Sequence, residues 1–172
     1  RVFMFDSGSS VGEISGHSKF LLSCDFRQAR PYRVVTCGED FLVNWYEGPP
    51  FKFKSSVKDH ERFVNCVRFS PDGAKFISVG LDKKARIFDG KDCSPAGQLE
   101  DGQHQGGIYA AAWSGDGKQV LTASGDKTCR LWDADSGKCV ATFQFADKPD
   151  TQHQQLGCLW QEDATHCHDM LE

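Results

Sequence analysis

The sequence predicts an all-β protein made of repeated four-stranded antiparallel blades, the architecture of a β-propeller. The first observation is that short apolar runs alternate with turns rich in glycine and aspartate, as in Gly115-Asp116-Gly117 between 108–113 and 119–124, a sequence suited to a tight hairpin. The second is a histidine that precedes a turn aspartate by 22 or 23 residues in three successive units. The third is the spacing of those aspartates, 42 and 44 residues, which matches the period of one propeller blade.

Each unit contains the same polar residues in the same order: a histidine, a hydroxyl residue four positions before the aspartate, and the aspartate. These are His17, Thr36 and Asp40; His60, Ser78 and Asp82; and His104, Thr122 and Asp126. With the closing Trp132-Asp133, this order resembles the WD40 repeat. The resemblance implies a buried chain of hydrogen bonds from the aspartate through the histidine and the hydroxyl to the indole N–H of Trp132. Such a network explains the histidines structurally, without a catalytic or metal-binding role.

The aromatic residue that closes the network differs between the units. Trp132 closes the third, Tyr46 the first and Phe88 the second. Phe88 has neither an N–H nor an O–H group to donate. The sequence therefore predicts a network shorter by one hydrogen bond, and a looser blade, in the second unit.

The first repeat follows a segment that resembles the end of another blade. Arg1–Asp6 is expected to be its closing strand, with Phe5-Asp6 in the Trp-Asp position, and 11–15 is expected to be an outer strand. We assign 1–16 to this preceding blade, the three repeats to 17–59, 60–103 and 104–145, and 146–172 to a linker, the start of a further blade and an atypical tail.

Within the repeats, apolar and aromatic runs bounded by turn residues predict the strands. They are 20–26, 33–37, 41–46 and 51–57 in the first repeat, 63–69, 75–80 and a run ending at Phe88-Asp89 in the second, and 108–113, 119–124 and 128–132 in the third. In 51–57 phenylalanine and lysine alternate, which predicts an outer strand with one wet face. Because Phe51 and Phe53 share one face and the lysines take the other, only one of the two pairs can be buried.

The C-terminal part departs from the repeat. Residues 156–160 resemble the start of a further blade, but 164–172 lack the alternation and the turn of a second strand. His166, Cys167 and His168 with Cys158 could suggest zinc, yet neighbouring residues on an extended chain point to opposite sides and no paired Cys-x-x-Cys accompanies them. The sequence thus predicts no metal and no cofactor.

The number of blades raises a further expectation. Propellers close with roughly four to eight blades, and only about three are encoded here. The chain is therefore expected to be a fragment of a longer protein or of a truncated gene, with the apolar faces of its outer blades uncovered.

Composition excludes several classes of function. The chain has 172 residues, is 39% hydrophobic and carries a net charge of −4, whereas a nucleic-acid partner calls for a basic surface. No apolar run approaches the roughly 20 residues that cross a bilayer, so no membrane partner is expected. Arg1 is not an initiator methionine and no charged-then-apolar leader follows it, so no targeting segment is predicted. The eight cysteines stand singly in strand-like contexts such as Cys24, Cys66, Cys129 and Cys158, which favours buried thiols in the reducing cytoplasm over disulfides. Motifs of serine hydrolases, P-loop proteins and zinc proteases are absent, so no enzyme is expected.

Loop sequences that the WD40 repeat does not require resemble the actin-interacting protein 1 family, also called WD repeat-containing protein 1. The most specific stretch is Glu47–Lys54, EGPPFKFK, and further matches are 30–33, RPYR, and 154–160, QQLGCLW. The resemblance covers about residues 1–162, and the tail after Asp163 does not match. Cys37 and Trp45 stand where other residues are expected.

This resemblance implies a specific function. Members of the family have two seven-bladed propellers, bind actin filaments decorated with cofilin, promote their disassembly and are not enzymes, which places them at actin-rich structures of the cytoplasm. The family's actin-directed patch combines an acidic residue at a blade turn with lysine and phenylalanine residues in and after the PPFKFK strand. By motif these fall on Glu39, Lys52, Phe53 and Phe63.

Each of these residues also has a plain structural interpretation. Phe53 and Phe63 could pack between blades, and Glu39 could be a solvated carboxylate next to the structural Asp40. The alternative function is a general WD40 scaffold, for example an adaptor in a ubiquitin ligase or a signalling assembly.

Overall fold

The structure, a computed structural model, describes residues 1–100, 104–144 and 155–160. All regular structure in these ranges is β-strand, and none of it is a helix that could cross a membrane. The strands are β1 (Val2–Phe3), β2 (Ser10–Gly12), β3 (Leu21–Arg27), β4 (Tyr32–Gly38), β5 (Val43–Gly48), β6 (Lys52–Val57), β7 (Val64–Phe69), β8 (Lys75–Gly80), β9 (Ala85–Asp89), β10 (Pro95–Gln98), β11 (Ile108–Trp113), β12 (Gln119–Ser124), β13 (Thr128–Asp133) and β14 (Cys139–Gln144).

Three antiparallel sheets of four consecutive strands make up most of the structure: β3–β6, β7–β10 and β11–β14, which we call blades 1, 2 and 3. Their registers repeat. The closing aromatic residue of each network lies opposite the same position of the preceding strand, Val34 opposite Tyr46, Phe76 opposite Phe88 and Val120 opposite Trp132. The predicted all-β architecture, part of a WD40 β-propeller, is confirmed.

Each blade also contains the same irregularity at its start. The register of the first two strands shifts between Leu21 and Ser23 in blade 1, between Val64 and Cys66 in blade 2, and between Ile108 and Ala110 in blade 3. A bulge increases the local twist of a strand pair. Its recurrence shows that the three units share backbone geometry as well as sequence signature.

The two largest hydrophobic clusters of the described residues lie between neighbouring blades. One cluster joins Val35 and Trp45 of blade 1 to Phe69, Phe76 and Phe88 of blade 2. A second joins residues of blade 2 to Ile108, Trp113, Val120 and Trp132 of blade 3. Because full burial of one large apolar side chain stabilises a fold by about 1.5–3 kcal/mol, each blade depends on its neighbour for much of its stability.

Polar side chains also bind the backbone of the neighbouring blade. Arg27 Nε donates to the carbonyl of Gly73 at 2.7 Å, and Arg33 Nη1 donates to the carbonyl of Gly90 at 3.1 Å. Between blades 2 and 3, Asn65 Nδ2 donates to the carbonyl of Ile108 at 2.7 Å. These bonds satisfy buried carbonyl groups and fix the positions of adjacent blades.

The segment before blade 1 differs from its prediction. β1 and β2 pair into a two-stranded sheet, but β1 ends at Phe3, because the chain turns where Gly8 N donates to the carbonyl of Met4 at 2.9 Å. Phe5 therefore lies in a turn and is fully exposed, so the closing strand predicted over 1–6 is shorter than expected and does not include Phe5-Asp6. Val2 and Ile14 nevertheless pack against the cluster of Tyr46 and its neighbours in blade 1.

Residues 155–160 lie against blade 3. Gln155 N donates to the carbonyl of Ser124 at 3.2 Å, and Cys158 and Trp160 pack on the cluster around Leu121. This is where the start of a further blade was predicted. Residues 146–154 of the predicted linker and the tail 164–172 lie outside the described residues.

Candidate interaction surface

The polar network of blade 3 joins four side chains. His104 lies 2.8 Å from Asp126 through Nδ1 and 2.8 Å from the Thr122 hydroxyl through Nε2, and Trp132 Nε1 donates to Thr122 Oγ1 at 2.8 Å. An ionised carboxylate only accepts hydrogen bonds, so Nδ1–H donates to Asp126 and Nε2 accepts from Thr122. Every polar group in this chain of bonds has a partner. Its arrangement suits a structural support for the blade.

Blades 1 and 2 contain the first three members of the same network. His17 lies 2.9 Å from Asp40 and 2.8 Å from Thr36. His60 lies 2.9 Å from Asp82 and 2.8 Å from Ser78. In blade 2 the fourth position is Phe88, which stacks on Phe76 with ring centroids 5.0 Å apart and donates no hydrogen bond.

Tyr46, expected to close the network of blade 1, binds elsewhere. Its hydroxyl donates to the carbonyl of Ser15 at 2.8 Å and accepts from Asn44 Nδ2 at 3.3 Å. A tyrosine hydroxyl stands beyond the ring, whereas the indole N–H of a tryptophan is part of the ring system, so the two groups reach different partners. The expected link from Tyr46 to Thr36 is thus replaced by a link to the segment that enters the blade.

The network aspartates are held as anions. Burial of Asp126 disfavours its charged form, but hydrogen bonds from His104 and Thr128 outweigh this cost and hold its pKa well below the ordinary value. Burial likewise opposes ionisation of Asp40 and Asp82, and the bonds from their histidines again lower the pKa of each carboxyl. A general acid needs the opposite shift of its pKa, toward the working pH. These carboxylates instead act as fixed hydrogen-bond acceptors.

Two of the four predicted partner-binding residues lie near the turn between β4 and β5. Glu39 is half-buried in that turn, and its N–H donates to the carbonyl of Phe20 at 3.0 Å. Phe63 precedes β7 and is also half-buried, because its ring packs against Phe41 of the same turn at 5.9 Å between centroids. We call Glu39, Phe41, Phe63 and the neighbouring Lys19 the turn group.

The other two predicted residues lie on the outer strand β6. Lys52 is exposed, and Phe53 retains 51% of its side-chain exposure although its ring meets Tyr46 edge-on at 5.8 Å. Phe51, two residues earlier and just before β6, is buried at 8% exposure. The two phenylalanines therefore do not form one buried pair: Phe51 belongs to the core and Phe53 to the surface. We call Lys52 and Phe53 the strand group.

The structure separates the two groups. β5 and β6 pair Val43 with Val57 next to the turn and Glu47 with Lys52 at the opposite end. Five residues of strand therefore separate Lys52 from the turn end of β6, roughly 16 Å at the usual rise. Lys52 and the turn therefore lie toward opposite ends of β6, and the four predicted residues are spread over blade 1 and its border with blade 2.

Phe41 and Lys19 are surface residues that sequence reasoning missed. Lys19 Nζ lies 5.8 Å from the centroid of the Phe41 ring, within the range of a cation–π contact. The available signal was a comparison of the repeats: the residue after the turn aspartate is Phe41 in the first unit but Lys83 and Lys127 in the others.

No group of three or more potential metal ligands occurs in residues 1–100, 104–144 and 155–160. The histidines and the second cysteine of the possible zinc set lie beyond these ranges, and Cys158 is half-buried against blade 3. The described cysteines are free thiols, and burial raises the pKa of Cys93 to about 12. Cys24 departs from the expected burial and is exposed, because it alternates with buried-side residues along β3.

Known proteins are similar to this chain both in its repeats and over most of its length. The family model described as WD domain, G-beta repeat matches residues 51–89 and 96–133. WD repeat-containing protein 1 of Xenopus tropicalis is 52% identical over 163 residues, which cover 94% of this chain and 26% of the relative. Actin-interacting protein 1 of Drosophila melanogaster is 51% identical over 163 residues, covering 95% of this chain and 26% of the relative.

A plant relative extends the comparison. Actin-interacting protein 1-2 of Arabidopsis thaliana is 56% identical over 168 residues, covering 95% of this chain and 28% of the relative. The chain thus spans about a quarter of the length of the curated relatives that it matches.

Proposed function

The chain belongs to the family of WD repeat-containing protein 1 and actin-interacting protein 1. We therefore propose that it is a non-enzymatic WD40 module that binds cofilin-decorated actin filaments and promotes their disassembly. The observation that carries the proposal is 51% identity, across 95% of this chain, to a relative whose name states that it interacts with actin. The proposed role is binding to a protein filament in the actin-rich cytoplasm, without a nucleic-acid or membrane partner.

The strand group supports the proposal through the exposure of Phe53. A large aromatic side chain left 51% exposed beside an exposed lysine is a feature of interaction surfaces. Its truncation should remove little packing, since half of the residue is exposed and its ring meets Tyr46 edge-on. An interface anchor of this kind contributes about 2 kcal/mol or more to binding when it is buried by a partner.

The turn group supports the proposal in a different way. Phe63 is half-buried, so part of its ring is covered by Phe41 and part remains accessible. Glu39 is a carboxylate at the edge of the same turn. A charge at the rim of an interface acts mainly on the rate of encounter and on salt dependence, so Glu39 and Lys52 should contribute less than the two phenylalanines.

The test uses this chain and a chimaera in which it replaces the matching segment of the Xenopus tropicalis relative, so that neighbouring blades are present. Phe53→Ala and Phe63→Ala should each reduce cofilin-dependent filament disassembly, measured by loss of pelletable actin. The melting temperature of each variant is measured in parallel. We expect Phe53→Ala to leave it nearly unchanged, because the side chain is half exposed.

Phe51→Ala is the matched control for this experiment. It removes the same side chain two positions away, but from the core, and should cost about 3–5 kcal/mol of stability. If Phe53→Ala lowers stability as much as Phe51→Ala, Phe53 is a packing residue and the strand group is not a binding site. If the wild-type chimaera fails to sediment with cofilin-decorated filaments while the parent relative does so, the function itself is refuted and a general scaffold role is favoured.

A further inference from the structure

The backbone at Phe41 is unusual for a bulky residue. The residue after the turn aspartate adopts the left-handed conformation in every blade, with φ of 70° at Phe41, 68° at Lys83 and 71° at Lys127. Non-glycine residues are uncommon there, and such conformations persist when the surroundings hold them. In blade 2 the position holds Lys83, which extends into solvent. Blade 1 instead places an aromatic ring at this exposed turn.

Two other segments hold this ring. Phe63, from the loop that enters blade 2, packs against it with centroids 5.9 Å apart and planes inclined by 32°. Lys19, from the segment that enters blade 1, places its ammonium 5.8 Å from the centroid. Phe41 and Phe63 are both half-buried, so the pair retains part of its exposure to solvent.

The border between blades 2 and 3 shows that the fold does not require such a pair. The position equivalent to Phe63 is Gly107, and Leu81 packs directly over it: a Cβ added to Gly107 would lie 2.7 Å from Leu81 Cδ2. One aliphatic side chain therefore seals that border. At the border of blades 1 and 2 the position of Leu81 is taken by Glu39, and an apolar contact is made instead by the rings of Phe41 and Phe63.

We propose that Phe41 is a further partner-contacting residue of the turn group, acting with Phe63 as one aromatic unit between Lys19 and Glu39. The inference rests on the proposed function. The partner surface that fits is an apolar side chain of the cofilin-decorated filament, with an acidic group facing Lys19 and a basic group facing Glu39. In interfaces of this type a rigid aromatic ring lies at the centre and charged groups lie at the rim.

The test is Phe41→Lys, which installs the residue found at the same left-handed position in blades 2 and 3. In the chimaera we expect binding to cofilin-decorated filaments to weaken by roughly tenfold or more, with a melting temperature within about 2 °C of the wild type. The separate variant Phe41→Tyr, which keeps the ring, should bind the filaments like the wild type. Lys83→Ala, at the equivalent turn of blade 2, is the matched control and should bind like the wild type.

A double variant separates one aromatic unit from two independent contacts. If the rings act together, Phe41→Lys combined with Phe63→Ala should weaken binding little more than either change alone. Normal binding by Phe41→Lys overturns this inference and leaves the proposed function standing. Loss of binding together with a large fall in melting temperature, not reversed by tyrosine, shows a structural role and also overturns it. Absence of binding by the wild-type chimaera overturns both proposals.

Discussion

Blades 2 and 3 each contain a hydrogen-bonded network of a histidine, a hydroxyl residue and an aspartate. The aromatic residue at the end of the network differs between them. In blade 3 the indole of Trp132 donates to Thr122 at 2.8 Å. In blade 2 Phe88 makes no such bond and instead stacks on Phe76 at 5.0 Å, within a cluster that also contains Phe69. The comparison indicates that the position of Trp132 and Phe88 requires a large planar side chain. In blade 2, ring packing replaces the hydrogen bond that the indole makes in blade 3.

The aspartate end of the two networks differs as well. Asp126 accepts from the Thr128 hydroxyl at 2.7 Å in addition to His104. At the position of Thr128, blade 2 has Lys84, which gives Asp82 only its backbone N–H, at 3.2 Å. Blade 3 therefore relies more on hydrogen bonds and blade 2 more on aromatic packing. Whether blade 2 is the looser of the two remains a prediction, and four measurements address it.

The largest effect is expected from removing the stacked ring of blade 2. Phe88→Ala should destabilise the chimaera by about 3–5 kcal/mol, because it leaves a cavity beside Phe76 in a closely packed cluster. The measurement is equilibrium denaturation, with the exposed Phe53→Ala as a size-matched control. A cost under about 1 kcal/mol would show that the stacking does not replace the missing hydrogen bond.

The next effect is the removal of the turn aspartate. Asp126→Ala should cost about 1–3 kcal/mol, because it leaves His104 and Thr128 without their acceptor in a buried site. Asp82→Ala should cost less, since fewer side chains donate to Asp82. Both are measured by denaturation under identical conditions, and the reverse order would refute the ranking of the two networks.

A smaller effect is expected from converting the closure of blade 3 into that of blade 2. Trp132→Phe removes the indole N–H and should cost about 1 kcal/mol for the lost bond to Thr122, plus any loss from reduced ring size. A double-mutant cycle with Thr122→Val isolates the bond. A coupling energy near zero in this cycle would mean that the indole acts through packing alone.

The smallest effect concerns pH. Because the pKa of Asp126 is lowered in the fold, its contribution to stability is complete above the unfolded value, about 3.9, and is lost as the pH falls through the folded pKa. The difference in stability between the wild type and Asp126→Ala should therefore narrow below about pH 4. Urea denaturation at pH 7, 5 and 3 measures it, and a difference that grows on acidification would contradict the sign of the shift.

Much of the fold could be predicted from the sequence, because its determinants are local. The strands predicted at 75–80 and 119–124 coincide with β8 and β12, since turn residues with strong conformational preferences bound them. The repeat of histidine and aspartate then indicated the number of complete blades. The turn residues and the spacing from histidine to aspartate each lie within one repeat of the sequence.

What could not be predicted depends on contacts between distant segments. The Tyr46 hydroxyl binds the carbonyl of Ser15, 31 residues away, and nothing in the aromatic position itself indicates that partner. Phe5 matches the repeat in sequence, yet the turn after Phe3 exposes it. The distance of Lys52 from the turn group follows from the pairing of β5 with β6, which a list of motif residues does not contain.

The arginines that join blade 1 to blade 2 have a consequence for how the repeats can diverge. Arg33 binds a backbone carbonyl, that of Gly90, and every residue type supplies a carbonyl, so this contact places no demand on the side chain it meets. Backbone crowding keeps residue 90 a glycine instead, since a Cβ there would lie 2.4 Å from the carbonyl oxygen of Gly73. Lys75 occupies the position of Arg33 in blade 2 and pairs with the Asp135 carboxylate at 2.7 Å, which ties those two side chains together. Among homologous sequences, residue 90 should therefore stay glycine whatever stands at position 33, whereas residues 75 and 135 should coevolve.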